Sequence, residues 1–196
     1  VDGESAAQLL GGAGIVSSQG REYPVETHYS APYKLQDSPV AGIVRAVDYA
    51  LVKHTGSILV FLPGQREINA VARELTTRLH GSNRSDVMLA PLYGGLSIER
   101  QQAAIVPAPA GKRKVVLATN VAETSLTIEG VTVVVDSGLA RQALFDVATG
   151  MTRLTTRRIS KASARQRQGR AGRLGPGHCY RLWSEEQQQR LISHSE

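Results

Sequence analysis

The sequence predicts an α/β fold with an open, mostly parallel β-sheet, helices on both faces and a projecting β-hairpin. Short apolar runs recur along the chain, and stretches with helical periodicity separate them. Continuous apolar runs are typical of strands that are covered on both faces. Because strands and helices alternate, the connections are expected to be crossovers, which produce a parallel sheet.

The elements follow one another in a regular order. Residues 25–29 alternate between apolar and polar side chains like a strand, and Asp37, Ser38 and Pro39 supply an N-cap and a proline start for the first helix. Apolar and helical stretches then alternate. The predicted strands are 25–29, 57–62, 87–92, 114–119, 131–136 and 178–183, and the predicted helices are 37–53, 65–79 and 97–106.

One segment interrupts this alternation. Residues 142–146 and 151–157 are two β-prone runs on either side of a turn that contains Gly150. This pattern predicts a β-hairpin from about residue 140 to residue 157 that projects from the α/β core. An irregular loop with a short edge strand is the alternative.

Length and composition indicate one globular domain. A chain of 196 residues with 41% hydrophobic residues is long enough to enclose a core. The glycine-rich residues 1–24 are expected to be a linker, residues 25–184 the domain, and residues 185–196 the start of a following region that is cut short. No apolar run approaches the ~18 residues that span a bilayer, so no membrane partner is expected. The single cysteine, Cys179, cannot form an intramolecular disulfide, which favours a reducing compartment.

The positive charge of the chain is locally concentrated. The formal net charge of +6 is by itself equally compatible with a polyanionic partner and with an ordinary basic domain. Between Val147 and Ser184, however, the sequence has no Asp or Glu, and all of its charged residues there are Lys or Arg. This local field favours nucleic acid or nucleotide phosphate as the partner.

Two segments that follow strands are candidates for a binding site, because ligands bind beyond the carboxyl ends of strands in open α/β sheets. Gly64 begins a helix after the second strand, where its backbone N–H can face a phosphate, although a strand-to-helix turn often needs glycine for structural reasons alone. Residues 118–130 carry Thr119, Asn120 and other polar side chains that can bind a nucleic-acid backbone or a ribose. Such side chains can equally satisfy the backbone of a buried loop.

A third candidate segment, 166–173, is rich in arginine. If it is helical through about Arg173, Arg170 and Arg173 share a face, with Gln166 one turn earlier on the same side. The two guanidinium groups repel each other, and two glycines weaken such a helix by ~1 kcal/mol each relative to alanine. This cost favours outward-pointing arginines that meet a concentrated anion such as a γ-phosphate. A solvated basic helix is the alternative, but it does not call for small residues at these positions.

In this order, the three segments resemble motifs IV, V and VI of superfamily 2 helicases. Residues 166–173 match the form Gln-Arg-x-Gly-Arg-x-Gly-Arg of motif VI, and residues 119–128 followed by 133–138 look like the DEAH-box version of motif V. The likeness covers nearly the whole chain, and residues 137–141 and 174–183 bring it closest to the bacterial HrpB branch. The resemblance implies the second RecA-like lobe of such a helicase and a cytoplasmic location in a bacterium.

The resemblance also implies roles for matching residues. Gln166 would orient the attacking water, and Arg170 and Arg173 would contact the γ-phosphate of ATP. Thr127 and Glu129 would lie near the nucleotide sugar, and the hairpin would lie near the place where strands enter. The implied contacts to the phosphates of single-stranded RNA or DNA come from Thr119, Asn120 and the backbone of Gly64.

Two groups that ATP hydrolysis needs are missing from the sequence. It contains no Gly-x-x-x-x-Gly-Lys-[Ser/Thr] phosphate loop and no Asp-Glu-x-His segment for Mg²⁺. Because phosphoryl transfer needs both, ATP and Mg²⁺ are expected to bind jointly with a preceding RecA-like lobe that supplies the metal ligands. This chain alone is expected not to hydrolyse ATP. Val1 lies in the linker and Glu196 in a polar stretch, so we expect a piece of a longer protein.

The resulting hypothesis is the second motor lobe of an ATP-dependent nucleic-acid helicase, with RNA as the expected substrate. The alternative from another class is a noncatalytic basic module that binds single strands as an adaptor. A remodelling ATPase shares motif VI, but the hairpin and residues 122–125 argue against it.

Overall fold

The computed structural model describes residues 7–15, 23–82, 84–124, 126–146 and 150–193. Its strands are β1 (Val25–Tyr29), β2 (Ser57–Phe61), β3 (Val87–Leu92), β4 (Arg113–Ala118), β5 (Val131–Asp136), β6 (Leu139–Asp146), β7 (Met151–Arg158) and β8 (Gly177–Arg181). Its helices are α1 (Val40–Lys53), α2 (Gln65–Gly81), α3 (Ile98–Ile105), α4 (Val121–Thr124), α5 (Lys161–Gly169) and α6 (Glu185–Gln189), with a 3₁₀ turn at Arg170–Gly172 between α5 and β8.

Six of the strands form one sheet in the order β1-β8-β5-β2-β4-β3, and every neighbouring pair in it is parallel. The remaining strands, β6 and β7, pair with each other in antiparallel register from Leu139 opposite Arg158 to Asp146 opposite Met151. The predicted fold class, including the hairpin, is therefore confirmed. In the described part of the chain, no helix combines the length and the apolar character needed to cross a membrane.

The apolar core has two parts, one on each face of the sheet. Successive side chains of a strand point to opposite faces, so Val60 packs in the first part and Phe61 in the second. Helices α1 and α2 cover the first face with buried side chains at a helical spacing. Helices α3 and α4 and the 3₁₀ turn cover the second face through Ala104, Ala122 and Ala171. The continuous apolar runs of the sequence are explained by this coverage on both sides.

The start of the first helix differs from the prediction. Pro39 occupies the N-cap position of α1 and makes no side-chain cap bond, while the hydroxyl of Ser38 accepts a hydrogen bond from the backbone N–H of Val40 at 3.4 Å. The carboxylate of Asp37 instead accepts a hydrogen bond from the backbone N–H of Lys34 at 3.0 Å. Asp37 therefore stabilises the turn before the helix, and the helix begins one residue later than the proline.

The helix that was considered to run through about Arg173 ends earlier. Helix α5 ends at Gly169, and the chain tightens into the 3₁₀ turn. This turn approaches the segment before β1, where the N–H of Tyr23 donates to the Gly172 carbonyl at 2.9 Å. A Cβ atom on Gly172 would lie 2.6 Å from the carbonyl oxygen of Tyr23, so the close approach requires glycine.

The residues after β8 are hydrogen-bonded to the rest of the lobe. Gln187 in α6 donates from its side chain to the Tyr33 carbonyl at 2.9 Å, and the N–H of Lys161 donates to the Ile192 carbonyl at 2.8 Å. The boundaries at residues 24 and 184 stay predictions. Of the predicted linker, residues 1–6 and 16–22 lie outside the described residues, as do residues 194–196 of the predicted following region.

Candidate functional site

The predicted nucleic-acid contacts follow two neighbouring strands at the same edge of the sheet. Gly64 follows β2, and Thr119 and Asn120 follow β4, which pairs with β2. The carbonyl oxygens of Thr119 and Asn120 accept the first backbone hydrogen bonds of α4, at 3.2 and 2.9 Å. Thr119 is half-buried, Asn120 is exposed and Gly64 is buried. The structure thus brings these three residues to one edge, where parallel strands commonly present ligands.

Gly64 has a second neighbour at this edge. It is the N-cap of α2, and its φ of −168° is extended backbone that any residue adopts. A Cβ atom on Gly64 would lie 2.8 Å from the guanidinium carbon of Arg141, which comes from β6 of the hairpin. Arg141 is also 3.5 Å from the carboxylate of Glu67. Glycine at this position therefore allows an arginine of the hairpin to lie over the start of a helix.

Arg170 is buried in the layer of chain that covers the second face of the sheet. Its side chain donates from Nε to the Glu123 carbonyl at 3.0 Å and from Nη1 to the Leu126 carbonyl at 2.5 Å, and Nη2 also bonds to Glu123. Only 6% of the residue is exposed. Burial, and then the neighbouring charge of Arg173, lower the pKa of Arg170 below its usual value.

Arg173 is exposed and contacts the same stretch of chain. Its Nη1 donates to the hydroxyl of Thr127 at 2.8 Å, and Thr127 is itself exposed. The two arginines thus share a side, as predicted, but the expectation that both point outward is wrong for Arg170. The carbonyls at the end of α4 have no partner within that helix, and the Arg170 guanidinium supplies one.

Gln166 and Glu129, the other predicted nucleotide contacts, are both exposed. Gln166 is on α5, one turn before Arg170, and Glu129 lies in the turn that leads into β5. These residues, the arginine pair and Thr127 all belong to two segments, 121–130 and 161–173, that cover the second face of the sheet. The strand-end set, Gly64, Thr119 and Asn120, is a separate group.

The role of Arg167 was not predicted from the sequence. This side chain has no exposed surface and donates from Nε to Glu123 and from Nη1 to Asp136, both at 2.9 Å. Its guanidinium also lies over the ring of Phe61, 4.8 Å from the ring centre. Burial alone would lower the pKa of Arg167, but Asp136 and Glu123 together raise it above its ordinary value.

Arg167 therefore joins the segments that carry the candidate nucleotide contacts. Through Glu123 it reaches α4, and through Asp136 it reaches the end of β5. A signal for this role was present in the sequence, since Arg167 precedes Arg170 by the same three residues that separate Arg170 from Arg173. Three arginines at this spacing repel one another unless one of them meets carboxylates.

Among the described residues near the arginine pair, Glu129 is an exposed carboxylate, whereas Glu123 and Asp136 already have a positive partner. Glu123 is bound by Arg167, and the side chain of Asp136 is fully buried against the same guanidinium. Across the described ranges, the group of three side chains that can hold a metal ion is Glu26, His28 and His178, on the other face of the sheet. The residues present thus fit a phosphate, which guanidinium and hydroxyl groups bind, and not its metal ion.

Comparison with known proteins gives the same assignment throughout the chain. The family model of the helicase conserved C-terminal domain matches residues 42–175. The ATP-dependent RNA helicase HrpB of Escherichia coli (strain K12) is 48% identical over 196 residues, which are 100% of this chain and 24% of that protein. The pre-mRNA-splicing factor ATP-dependent RNA helicase prp22 of Schizosaccharomyces pombe (strain 972 / ATCC 24843) is 45% identical over 173 residues, 87% of this chain and 15% of that protein.

Solved structures show the same relationship. Two crystal structures of E. coli HrpB, described as a DEAH/RHA helicase and as a DExH-box NTPase, match with TM-scores of 0.89 and 0.87 at 48% identity. Each match covers 100% of this chain and 24% of the solved one, so the chain spans about a quarter of the length of these relatives. On this evidence of sequence, fold and motif order, the chain belongs to the helicase conserved C-terminal domain family, as the second RecA-like lobe of the DEAH-box type.

Proposed function

We propose that this lobe is the second motor lobe of an ATP-dependent helicase that acts on single-stranded RNA in the bacterial cytoplasm. It would bind ATP together with a preceding RecA-like lobe of the same protein and would not hydrolyse ATP alone. The full-length match to a bacterial protein named as an RNA helicase supports the activity and the substrate. The buried state of the single cysteine, Cys179, is compatible with a reducing compartment.

The observation that carries this proposal is the convergence of Arg170 and Arg173 on residues 123–127. The charge of Arg173 contributes, after burial, to the lowered pKa of Arg170, so the two guanidinium groups repel each other. An anion bound between them would relieve this repulsion. Arg173 is exposed and shares its bond with the Thr127 hydroxyl, so it can meet a γ-phosphate directly. Arg170 would exchange at least one carbonyl contact for a phosphate oxygen when ATP closes the lobes.

The remaining nucleotide contacts follow from position. Gln166 is exposed on α5, one turn before Arg170, where it would orient the attacking water. Thr127 and Glu129 would lie near the sugar. Bound Mg²⁺ would neutralise charge on the phosphates, and its ligands would come from the preceding lobe because Arg167 already occupies Glu123 and Asp136.

The nucleic-acid backbone would bind at the strand-end set. Thr119 and the exposed Asn120 after β4 would donate to phosphate oxygens without reading bases, and the buried backbone of Gly64 at the start of α2 would join them once the Arg141 guanidinium moves aside. Arg141 of the hairpin adds a positive charge at the same place. The hairpin would therefore lie beside the bound strand, where it would help to separate strands or set translocation.

ATP hydrolysis by the longer protein that contains this chain and a preceding lobe tests the proposal. Arg173→Ala should lower RNA-stimulated kcat by at least ~10³-fold, because arginine fingers contribute on that scale. Arg165→Ala is the matched control, since Arg165 is an exposed arginine of α5 outside the proposed contacts. Hydrolysis by Arg173→Ala at the wild-type rate would rule the assignment out.

The adaptor alternative makes a different prediction for the same protein. An adaptor would bind single strands with a salt-dependent affinity, as the helicase does, but it would show no RNA-stimulated hydrolysis of ATP. Binding of RNA without any such hydrolysis, by a protein that has its preceding lobe, would therefore favour the adaptor.

A further inference from the structure

Three of the five histidine side chains and two tyrosine side chains, Tyr49 and Tyr180, meet on the face of the sheet that is turned away from the arginine pair. Glu26 and His28 come from β1, and His178 and Tyr180 come from β8, in a register that places Glu26 opposite His178 and His28 opposite Tyr180. Cys179, between the last two, packs in the core of the other face, so His178 and Tyr180 point away from α5. We call Glu26, His28, His54, His178 and Tyr180 the histidine cluster.

The cluster is held by close contacts between its rings. The His28 ring stacks on Tyr180 with 4.6 Å between ring centres, and the His54 ring, from the C-cap of α1, stacks on His178 at 4.0 Å. The Nε2 atom of His54 is 2.6 Å from the Tyr180 hydroxyl. These contacts hold the imidazole planes of His28 and His178 in place.

The atoms that could bind a metal ion face one another across β1 and β8. The Nε2 atom of His28 lies 3.3 Å from the Nδ1 atom of His178. The Oε1 atom of Glu26 lies 3.7 Å from the His28 nitrogen, and its Oε2 atom lies 3.6 Å from the His178 nitrogen. Two nitrogens bound to one tetrahedral zinc ion at ~2.05 Å are about 3.3 Å apart, which equals the separation seen here without any metal.

We propose that Glu26, His28 and His178 form a binding site for a divalent transition-metal ion, with Zn²⁺ as the ion that suits two imidazoles and one carboxylate. The set matches the ligand types of known three-ligand zinc sites, in which the fourth position holds water. Each histidine side chain is 32% exposed and the Glu26 side chain 67% exposed, so solvent reaches the open position and an ion can enter.

A metal ion at this position needs a lone pair on both facing nitrogens, Nε2 of His28 and Nδ1 of His178. A neutral imidazole can offer a lone pair on one ring nitrogen while the other ring nitrogen keeps its N–H, so the two rings can bind one ion together.

Zinc titration of the tag-free 196-residue chain tests the site. Competition with a chromophoric chelator should show one equivalent of bound Zn²⁺ per chain. His28→Gln and His178→Gln should each weaken this binding by at least about 10-fold. His80→Gln is the matched control, because His80 is exposed on α2 outside the cluster, and it should leave the affinity unchanged.

Two further measurements keep the test decisive if a histidine variant does not fold. Glu26→Gln changes an exposed side chain and should also weaken Zn²⁺ binding at least about 10-fold. In the wild-type chain, histidine NMR signals of His28 and His178 should shift with the first equivalent of Zn²⁺, and the His80 signal should not. Cobalt substitution should give no thiolate charge-transfer band, since the thiol of Cys179 is buried on the other face.

The proposal is overturned if the chain shows no stoichiometric zinc binding. It is equally overturned if Glu26→Gln and both histidine variants bind Zn²⁺ as tightly as the wild type, because the ion then sits elsewhere. The third overturning result is a shift of His80 in place of His28 and His178. The helicase assignment does not depend on any of these outcomes.

Discussion

Replacing Arg167 with methionine should destabilise the lobe more than replacing Arg165, Arg170 or Arg173. The substitution keeps a long side chain over Phe61 but removes a guanidinium that has no exposed surface. Asp136, which is also fully buried, and Glu123, with 14% of its side chain exposed, would lose their positive partner. A buried carboxylate without a partner is the main cost of such a change, because the net contribution of an intact buried ion pair is often small.

The magnitude follows from the contacts. Two charge-assisted hydrogen bonds of 2.9 Å, at ~1.5–3 kcal/mol each, give about 3–6 kcal/mol. Loss of one partner of a buried pair typically costs about 3–5 kcal/mol. Within the described structure the Nη2 atom of Arg167 and the Oδ2 atom of Asp136 are buried without hydrogen-bond partners, so the lower end, ~3–4 kcal/mol, is expected.

Urea unfolding of the chain, followed by circular dichroism, measures this free energy. Arg165→Met is the control, because it makes the same change at an exposed position of the same helix and should stay within ~0.5 kcal/mol of wild type. Asp136→Asn added to Arg167→Met should recover part of the loss, since it removes the orphaned charge. The reasoning is refuted if Arg167→Met costs less than ~1 kcal/mol or no more than its control.

Three further predictions concern stability and reactivity. Arg170→Ala should lower the free energy of unfolding by ~1–3 kcal/mol, because it removes hydrogen bonds to two carbonyls. Arg173→Ala should stay within ~0.5 kcal/mol of wild type, since its bond to Thr127 is exposed. Equal losses for the two variants in urea titrations would contradict this. Burial, and secondarily the charge of a nearby aspartate, raise the pKa of the Cys179 thiol to about 12, so at pH 8 its thiolate fraction should be ~10³-fold below that of an unfolded thiol. A disulfide reagent should therefore modify it only after denaturation, and rapid modification of the native chain would be inconsistent with the structure. Gly138→Ala should lower the melting temperature more than Gly111→Ala does. Both glycines have φ above +70°, but only at Gly138 would a Cβ atom meet a tryptophan ring, at 2.7 Å. Equal melting temperatures for the two variants would disprove that contact.

Most strands of the sheet could be predicted from the sequence because their burial leaves a local trace. All five residues of β2 are buried, and the corresponding apolar run is visible without any knowledge of neighbours. The hairpin was predictable for a similar reason, since two β-prone runs flank Gly150. Caps are less predictable, because Asp37 has a competing partner in Lys34 and the choice depends on the path of the chain before the helix.

The inward orientation of Arg170 could not be predicted, because its partners lie far away in the sequence. The carbonyls of Glu123 and Leu126 precede it by 47 and 44 residues, and only the packing of α5 beside α4 brings them within reach. The histidine cluster was missed on the same grounds. His28 and His178 are 150 residues apart, and nothing in either segment indicates that β1 pairs with β8.

Strand β8 contributes side chains to both faces of the sheet, and the two faces differ in chemistry. On one side it carries His178 and Tyr180, and on the other it carries Arg181, whose guanidinium donates to Gln168 of α5 at 2.8 Å. Hydrogen bonds tie β8 to β1 along one edge and to β5 along the other. The proposed zinc ligand His178 and Arg181, which contacts α5, are therefore held by the same five residues of backbone, so a substitution that disturbs the pairing of this strand should disturb both faces of the sheet together.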